Sequence, residues 1–170
     1  AAVLTLAASQ ASALSIRVSQ ESMAGLGDFN ANVLGFITDY STAMTTAGFY
    51  DYSGASYTGE TNGGPVGLTD VTQTFFVSAS DGLSLVTVHD VALSATSPNS
   101  TADMRLDLSG DTAGVLVSDD GGSESVSVSG GGTIFTTDHI WNNCCTDGYA
   151  LGSLDGNWTM LSQFIAAPLG

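Results

Sequence analysis

Two runs rich in β-branched and aromatic residues, separated by an Asp-Gly pair, constrain this chain more than any other feature. Residues 71–79 and 83–91 flank Ser80-Asp81-Gly82. Asp-Gly between runs of alternating pattern is typical of a tight β-hairpin, because the turn needs residues that tolerate positive φ. The sequence therefore predicts an antiparallel hairpin at this point.

The same pattern recurs along the chain of 170 residues, in which Gly occurs 21 times. Leu14, Ile16 and Val18 alternate with polar residues, and Gly35 favours a strand over a helix in 28–37. Residues 50–65 are predicted to be a loop or a frayed hairpin. Further strands are predicted at residues 104–108, 115–118, 125–129, 133–137 and 158–165. Eight to ten such strands predict an all-β, antiparallel, jelly-roll-like sandwich with little helix.

The first 13 residues are typical of the end of a signal peptide. Residues 1–8 are small and apolar, and Ala11-Ser12-Ala13 has the pattern of a cleavage site. We therefore expect a secreted, extracellular or cell-surface protein, with one domain over residues 14–170. The alternative is an N-terminal arm that lies on its own domain or adds a strand to a neighbouring subunit, in a homo-oligomer or filament. No apolar run is long enough to predict a transmembrane helix.

Acidic residues outnumber basic ones: 17 carboxylates stand against Arg17 and Arg105, and the formal charge is −15. This excess argues against nucleic acid and anionic membrane surfaces as partners. Bound divalent cations would relieve the repulsion between carboxylates; the alternative is an acidic surface that only keeps the protein soluble.

The only two cysteines, Cys144 and Cys145, are adjacent. Export favours their oxidation. Adjacent Cα atoms are about 3.8 Å apart, which is below the usual disulfide range, so a vicinal bridge would need a distorted or cis peptide. Reduced or interchain cysteines, or a metal site with His139, remain alternatives at this point.

Several Asp-rich turns are candidate calcium ligands, because Ca²⁺ prefers carboxylate and carbonyl oxygens. The candidates are Asp119, Asp120 and Glu124 in one turn, and Asp147 and Asp155 in two others. The alternative is ordinary turn chemistry, in which Asp and Gly are common for conformational reasons.

Aromatic residues near the cysteines suggest a glycan contact. Trp141 precedes Asn142 and Asn143, and an exposed ring beside amides is typical of sugar binding, whereas Trp158 is expected to anchor the core. His89 is expected to be a structural histidine on an edge strand. No motif of a known catalytic site occurs, so no catalytic residue is predicted and the chain is not expected to be an enzyme.

The C-terminal half resembles the jelly-roll P-type domains that follow subtilisin-like proteases. The matching segments are residues 88–91, 102–108, 118–122 and the closing Leu154-Asp155-Gly156-Asn157-Trp158-Thr159-Met160. The whole chain also resembles exported bacterial surface proteins with a PEP-CTERM or VPLPA-CTERM sorting anchor. That resemblance rests on the signal-like start, Cys144-Cys145-Thr146-Asp147-Gly148 and the ending Ala166-Ala167-Pro168-Leu169-Gly170.

These resemblances imply a location outside the cell more than an activity. We therefore predict a non-enzymatic structural protein of the cell surface or extracellular matrix, either on its own or as a subunit of an extracellular assembly or filament. A calcium-dependent carbohydrate-binding module is the alternative function.

Overall fold

The computed structural model describes residues 15–23, 28, 32–91, 100–119, 125–142 and 144–166. The chain divides into two compact units, Ala1–Asp39 and Tyr40–Gly170. The first unit contains an antiparallel ribbon of two strands, β1 (Ser15–Gln20) and β2 (Asn32–Thr38). Residues 15–39 were predicted to belong to the sandwich, but the structure assigns them to this separate unit. The predicted arm, residues 1–13, lies outside the described residues.

The second unit contains two sheets. The five-stranded sheet has the order β3-β4-β5-β10-β7, and the four-stranded sheet has the order β11-β6-β9-β8. Neighbouring strands are antiparallel except for the short β3–β4 pair. The strands are β3 (Tyr40–Ser41), β4 (Thr72–Ala79), β5 (Gly82–His89), β6 (Ser100–Ser109), β7 (Gly114–Ser118), β8 (Val126–Ser129), β9 (Ile134–Trp141), β10 (Asp147–Gly152) and β11 (Thr159–Ala166).

Side chains of the two sheets meet in a shared core. Tyr149 on β10 donates its hydroxyl hydrogen to the Met104 sulfur on β6 over 3.7 Å, and His89 on β5 contacts His139 on β9. Alternate residues of β6 and β9 are buried, as expected for strands with one face toward a core. The predicted all-β sandwich is therefore confirmed, and so is the hairpin at Ser80-Asp81-Gly82, which joins β4 to β5.

A short helix that the sequence analysis missed covers the other face of the five-stranded sheet. It is α1 (Thr46–Tyr50), and its N-terminus is capped by the Thr45 hydroxyl, which accepts from the Gly48 N–H. Phe49 and Tyr50 are buried in an apolar cluster with residues of β4, β5 and β10. Five residues are too few for a helical period to be recognised.

Only one other helix is described, a 3₁₀ turn at Gly59–Asn62 inside the predicted loop. None of the helices in the described ranges has the length and apolarity needed to cross a membrane.

The sequence analysis also missed β10, because Asp147-Gly148 was interpreted as a turn. In the structure this pair begins the strand between β5 and β7. A Cβ atom on Gly148 would lie 2.3 Å from the Thr87 carbonyl oxygen and 2.7 Å from the Tyr50 hydroxyl. Gly148 is therefore required by close packing, and not by a turn conformation.

Candidate functional site

The connection between β9 and β10 contains the only disulfide of the chain. We call residues 142–146 the disulfide turn. Cys144 and Cys145 are joined to each other, with Cα atoms 3.7 Å apart, and neither is free. The vicinal pairing is thus confirmed, and the reduced, interchain and metal-bound alternatives are not what the structure shows. No cis peptide bond occurs among the described residues.

Hydrogen bonds hold the disulfide turn at both of its ends. The Cys145 N–H donates to the Asn142 carbonyl over 3.1 Å, and the Cys144 N–H donates to the Asn142 side-chain oxygen over 3.0 Å. At the other end, the Thr146 hydroxyl accepts from the Tyr57 N–H over 2.7 Å. Cys144 is exposed and Cys145 is half-buried, so one side of the bridge faces solvent.

A cluster of four aromatic rings lies where β9 ends and β10 begins. We call His89, His139, Trp141 and Tyr149 the histidine–aromatic cluster. His89 stacks on Trp141 with ring centroids 5.3 Å apart, and His139 stacks on Tyr149 at 5.5 Å. The two imidazole rings are 5.2 Å apart. The cluster thus joins β5 and β10 of one sheet to β9 of the other.

Burial keeps both imidazoles neutral at neutral pH. It lowers the pKa of His89 to about 3, with a smaller contribution from His139, and it lowers the pKa of His139 to about 4. Asp138 and the Gly148 backbone oppose the second shift in part. The 3.7 Å separation between His139 Nε2 and the Asp147 carboxylate is therefore a contact with a neutral ring, and not an ion pair.

The position of His89 differs from the prediction. It lies on β5 between β4 and β10, so the expected edge location is wrong, and its structural role stays a prediction. Its Nδ1 lies 2.8 Å from the Thr72 hydroxyl, while Nε2 has no hydrogen-bond partner among the described residues. Both imidazoles are fully buried, so a substrate in solution has no access to either ring in this structure.

Asp90 links the histidine–aromatic cluster to the backbone through hydrogen bonds. The sequence analysis did not identify it as a site residue. It is buried, and its φ of +66° is a left-handed conformation that Asp tolerates better than most residues. One carboxylate oxygen accepts from the N–H groups of Asp70 and Val91, and the other accepts from the Trp141 indole N–H over 3.0 Å. Asp90 thereby links the end of β5 to the end of β9 in the opposite sheet.

The predicted glycan contact is not formed as expected. Trp141 is only 9 % exposed and its indole N–H is bonded to Asp90, so the prediction of an exposed stacking ring is wrong. Asn142 is exposed but accepts both N–H bonds within the disulfide turn. Asn143 lies outside the described residues. Trp158 is half-buried and stacks on Phe76, in agreement with a core role.

The calcium candidates do not form a common group in the part of the chain that is described. Asp119 is buried and accepts from the Tyr50 hydroxyl over 2.8 Å, Asp147 is buried beside His139, and Asp155 is exposed. Asp120 and Glu124 lie outside the described residues. Within the described ranges, no three acidic, His or Cys side chains are grouped to hold a metal. Calcium binding remains a prediction.

Comparison with known protein families, curated proteins and solved structures finds no match to this chain. The resemblances to P-type domains and to PEP-CTERM or VPLPA-CTERM proteins therefore stay predictions. Function is therefore inferred from two features, the disulfide turn and the histidine–aromatic cluster.

Proposed function

We propose that this chain is a non-enzymatic, exported structural protein of the cell surface or extracellular matrix. The observation that carries the proposal is the Cys144–Cys145 disulfide on the solvent side of the disulfide turn. Disulfides persist in oxidising compartments and are rare where thiols are kept reduced. An accessible bridge of this kind supports a location outside the cytoplasm.

Two further observations support a structural role. The polar groups of the candidate site, including Asp90 and the imidazole of His89, are buried between the sheets. The Asp90–Trp141 hydrogen bond and the ring contact between His89 and His139 join opposite sheets, which is a structural task. The −15 charge with only two basic residues also suits a protein outside the cell, where an acidic surface keeps it soluble.

The alternative of a carbohydrate-binding module depended on an exposed Trp141. Since that ring is packed against His89 and bonded to Asp90, we do not propose glycan binding.

Thiol labelling of cells that make the protein tests the proposal. A membrane-permeant maleimide applied to intact cells should label no cysteine before reduction and two cysteines after denaturation and mild reduction. Protease added to intact cells should remove the protein, while a cytoplasmic marker in the same sample should survive. Protection from the protease, or two free thiols in the unreduced protein, would contradict the proposed location.

The predicted calcium site is tested separately by thermal unfolding in EDTA and in millimolar Ca²⁺. A ligand that binds only the folded state raises stability by about 2.7 kcal/mol at a hundredfold excess over its Kd. Identical melting temperatures would show that no calcium site stabilises the protein. The Asp-rich turns would then be explained by turn conformation alone.

A further inference from the structure

We propose that the β1–β2 ribbon of one copy adds, through β2, to the free edge of β11 in a second copy. This inference rests on the proposed structural function, because it names the contact by which copies would assemble. The partner of the β11 edge is the ribbon of an identical chain.

The β11 edge has no neighbouring strand on its outer side in the part of the chain that the structure describes, and its register with β6 is irregular only between Phe164 and Ala166. β11 pairs only with β6, and its eight residues contain neither a charged side chain nor proline. Phe164 and Ile165 are 50 % and 54 % exposed. Natural proteins protect edges of this length with charge, proline or a covering segment, because an open edge accepts another strand. The other outer strands are shorter: β3 has two residues, β7 five and β8 four.

The β2 strand is a matching donor. Its seven residues are uncharged, and β1 is its only partner among the described strands. Leu34 and Phe36 are 65 % and 67 % exposed. An isolated ribbon of two strands is marginally stable in water, so pairing with a further strand stabilises it. β2 and β11 have similar lengths, seven and eight residues, and each has a register shift with its present partner, at Leu34 in β2 and at Ile165 in β11. Regular pairing between them is therefore expected over the residues outside these shifts.

Charge favours this pairing over other contacts between copies. In a chain of charge −15, most surfaces of two copies repel each other. The strands β1 and β2 carry one charged residue, Arg17, and no acidic residue. The acceptor strand β11 carries no charged residue at all. The contact between β2 and β11 therefore brings no carboxylates of these two strands together.

The geometry of the contact is head-to-tail, since it joins two different surfaces. Such a contact leaves one free ribbon and one free β11 edge at the ends of every open assembly, and it propagates unless the rotation closes a ring. The four-stranded sheet becomes six-stranded at each junction.

Two exposed substitutions test the contact. Phe36→Asp alters the ribbon and Phe164→Asp alters the β11 edge, and each adds one negative charge at an exposed position. Val128→Asp is the matched control, because it adds the same charge at an exposed site on β8, the opposite edge of the same sheet. Self-association of the purified full chain is measured by light scattering over a concentration series, with circular dichroism to check the fold.

We expect the wild type and Val128→Asp to associate, and each of the other variants to associate at least about tenfold more weakly, from the loss of one buried Phe. A mixture of Phe36→Asp and Phe164→Asp should form dimers, because each supplies the surface that the other lacks. A monomeric wild type, undiminished association of either variant, weakened association of the control, or a mixture without dimers would overturn the inference.

A ribbon that pairs within its own chain, or a β11 edge that binds a different protein, would leave the purified wild type monomeric. Either case would therefore overturn the inference. The location assay above is independent of all of them. A monomeric protein that is exposed to added protease and has no free thiol would overturn the assembly contact alone.

Discussion

Strands β10 and β11 both belong to the sandwich, but their environments are opposite to what their sequences suggest. β10 contains Asp, two Gly and only three apolar residues, and all six of its residues are buried. β11 contains Met, Leu, Phe and Ile, yet none of residues 159–165 is fully buried. The difference follows from position, since β10 lies between β5 and β7 whereas β11 has a neighbour on one side. Burial in a sandwich is thus decided by the place of a strand in the sheet as well as by its composition.

Truncating a leucine to alanine should lower the free energy of unfolding far more on β10 than on β11, and this is the largest effect that we predict. Leu151→Ala on β10 removes a fully buried side chain and is expected to lower the free energy of unfolding by about 2–5 kcal/mol. Leu161→Ala on β11 removes a side chain that is 36 % exposed and should cost well under half of that. Urea unfolding followed by tryptophan fluorescence measures both. Equal losses would show that β11 is as well covered as β10.

The buried carboxylate of Asp90 should matter more than an exposed one beside β11. Asp90→Ala leaves the Trp141 indole N–H and two backbone N–H groups without their acceptor, which we expect to cost about 2–3 kcal/mol. Asp107→Ala breaks only the surface pair with Arg105, in which both side chains are about a third or more exposed, so its effect should be much smaller.

Asp90→Asn is the matched variant for this experiment, because it has the same shape and retains one acceptor oxygen. It should recover part of the loss in the same unfolding measurement. A variant Asp90→Ala as stable as the wild type would contradict the role of Asp90 as the link between the two sheets.

Acid should act on the core through the histidine–aromatic cluster. The pKa of each buried histidine is depressed, to about 3 for His89 and about 4 for His139, against about 6.5 in an unfolded chain. Between the pKa of the folded state and that of the unfolded state, the unfolded chain binds more protons than the folded protein. Stability is therefore greatest above pH 6.5 and falls as the pH is lowered, by at most about 1.4 kcal/mol per pH unit for each histidine.

Urea unfolding at pH 7 and pH 5 measures this slope. His139→Phe keeps a ring against Tyr149 but cannot bind a proton, so it should reduce the slope between these pH values. An unchanged slope in His139→Phe would assign the acid sensitivity to other groups.

Reduction of the disulfide turn should have the smallest effect on stability. The Cys144–Cys145 bridge closes a loop of adjacent residues, so it removes little conformational freedom from the unfolded chain. We expect its reduction to cost at most about 1 kcal/mol. The variant Cys144→Ser/Cys145→Ser should match the reduced protein in urea unfolding, and a much larger loss in either would show that the bridge holds the sheets together.

Local patterns were sufficient for the class of fold and for several of its strands. Asp-Gly between runs of β-branched and aromatic residues predicted the β4–β5 hairpin, and alternation predicted β1 and β6. The vicinal disulfide was one of the alternatives that the sequence offered, because two adjacent cysteines that are the only ones in the chain have no other partner within it. These inferences succeed because turns and adjacent bonds depend on residues that are close in the chain.

Long-range packing decided the rest. Gly148 became part of a central strand because Thr87 and Tyr50 approach its Cα too closely for a side chain. Trp141 became a buried donor because Asp90, 51 residues away, meets it across the two sheets. The neutrality of His89 and His139 likewise depends on the opposite sheet that excludes water from them. No local pattern encodes these environments, because each one forms only when two segments that are distant in the sequence come into contact.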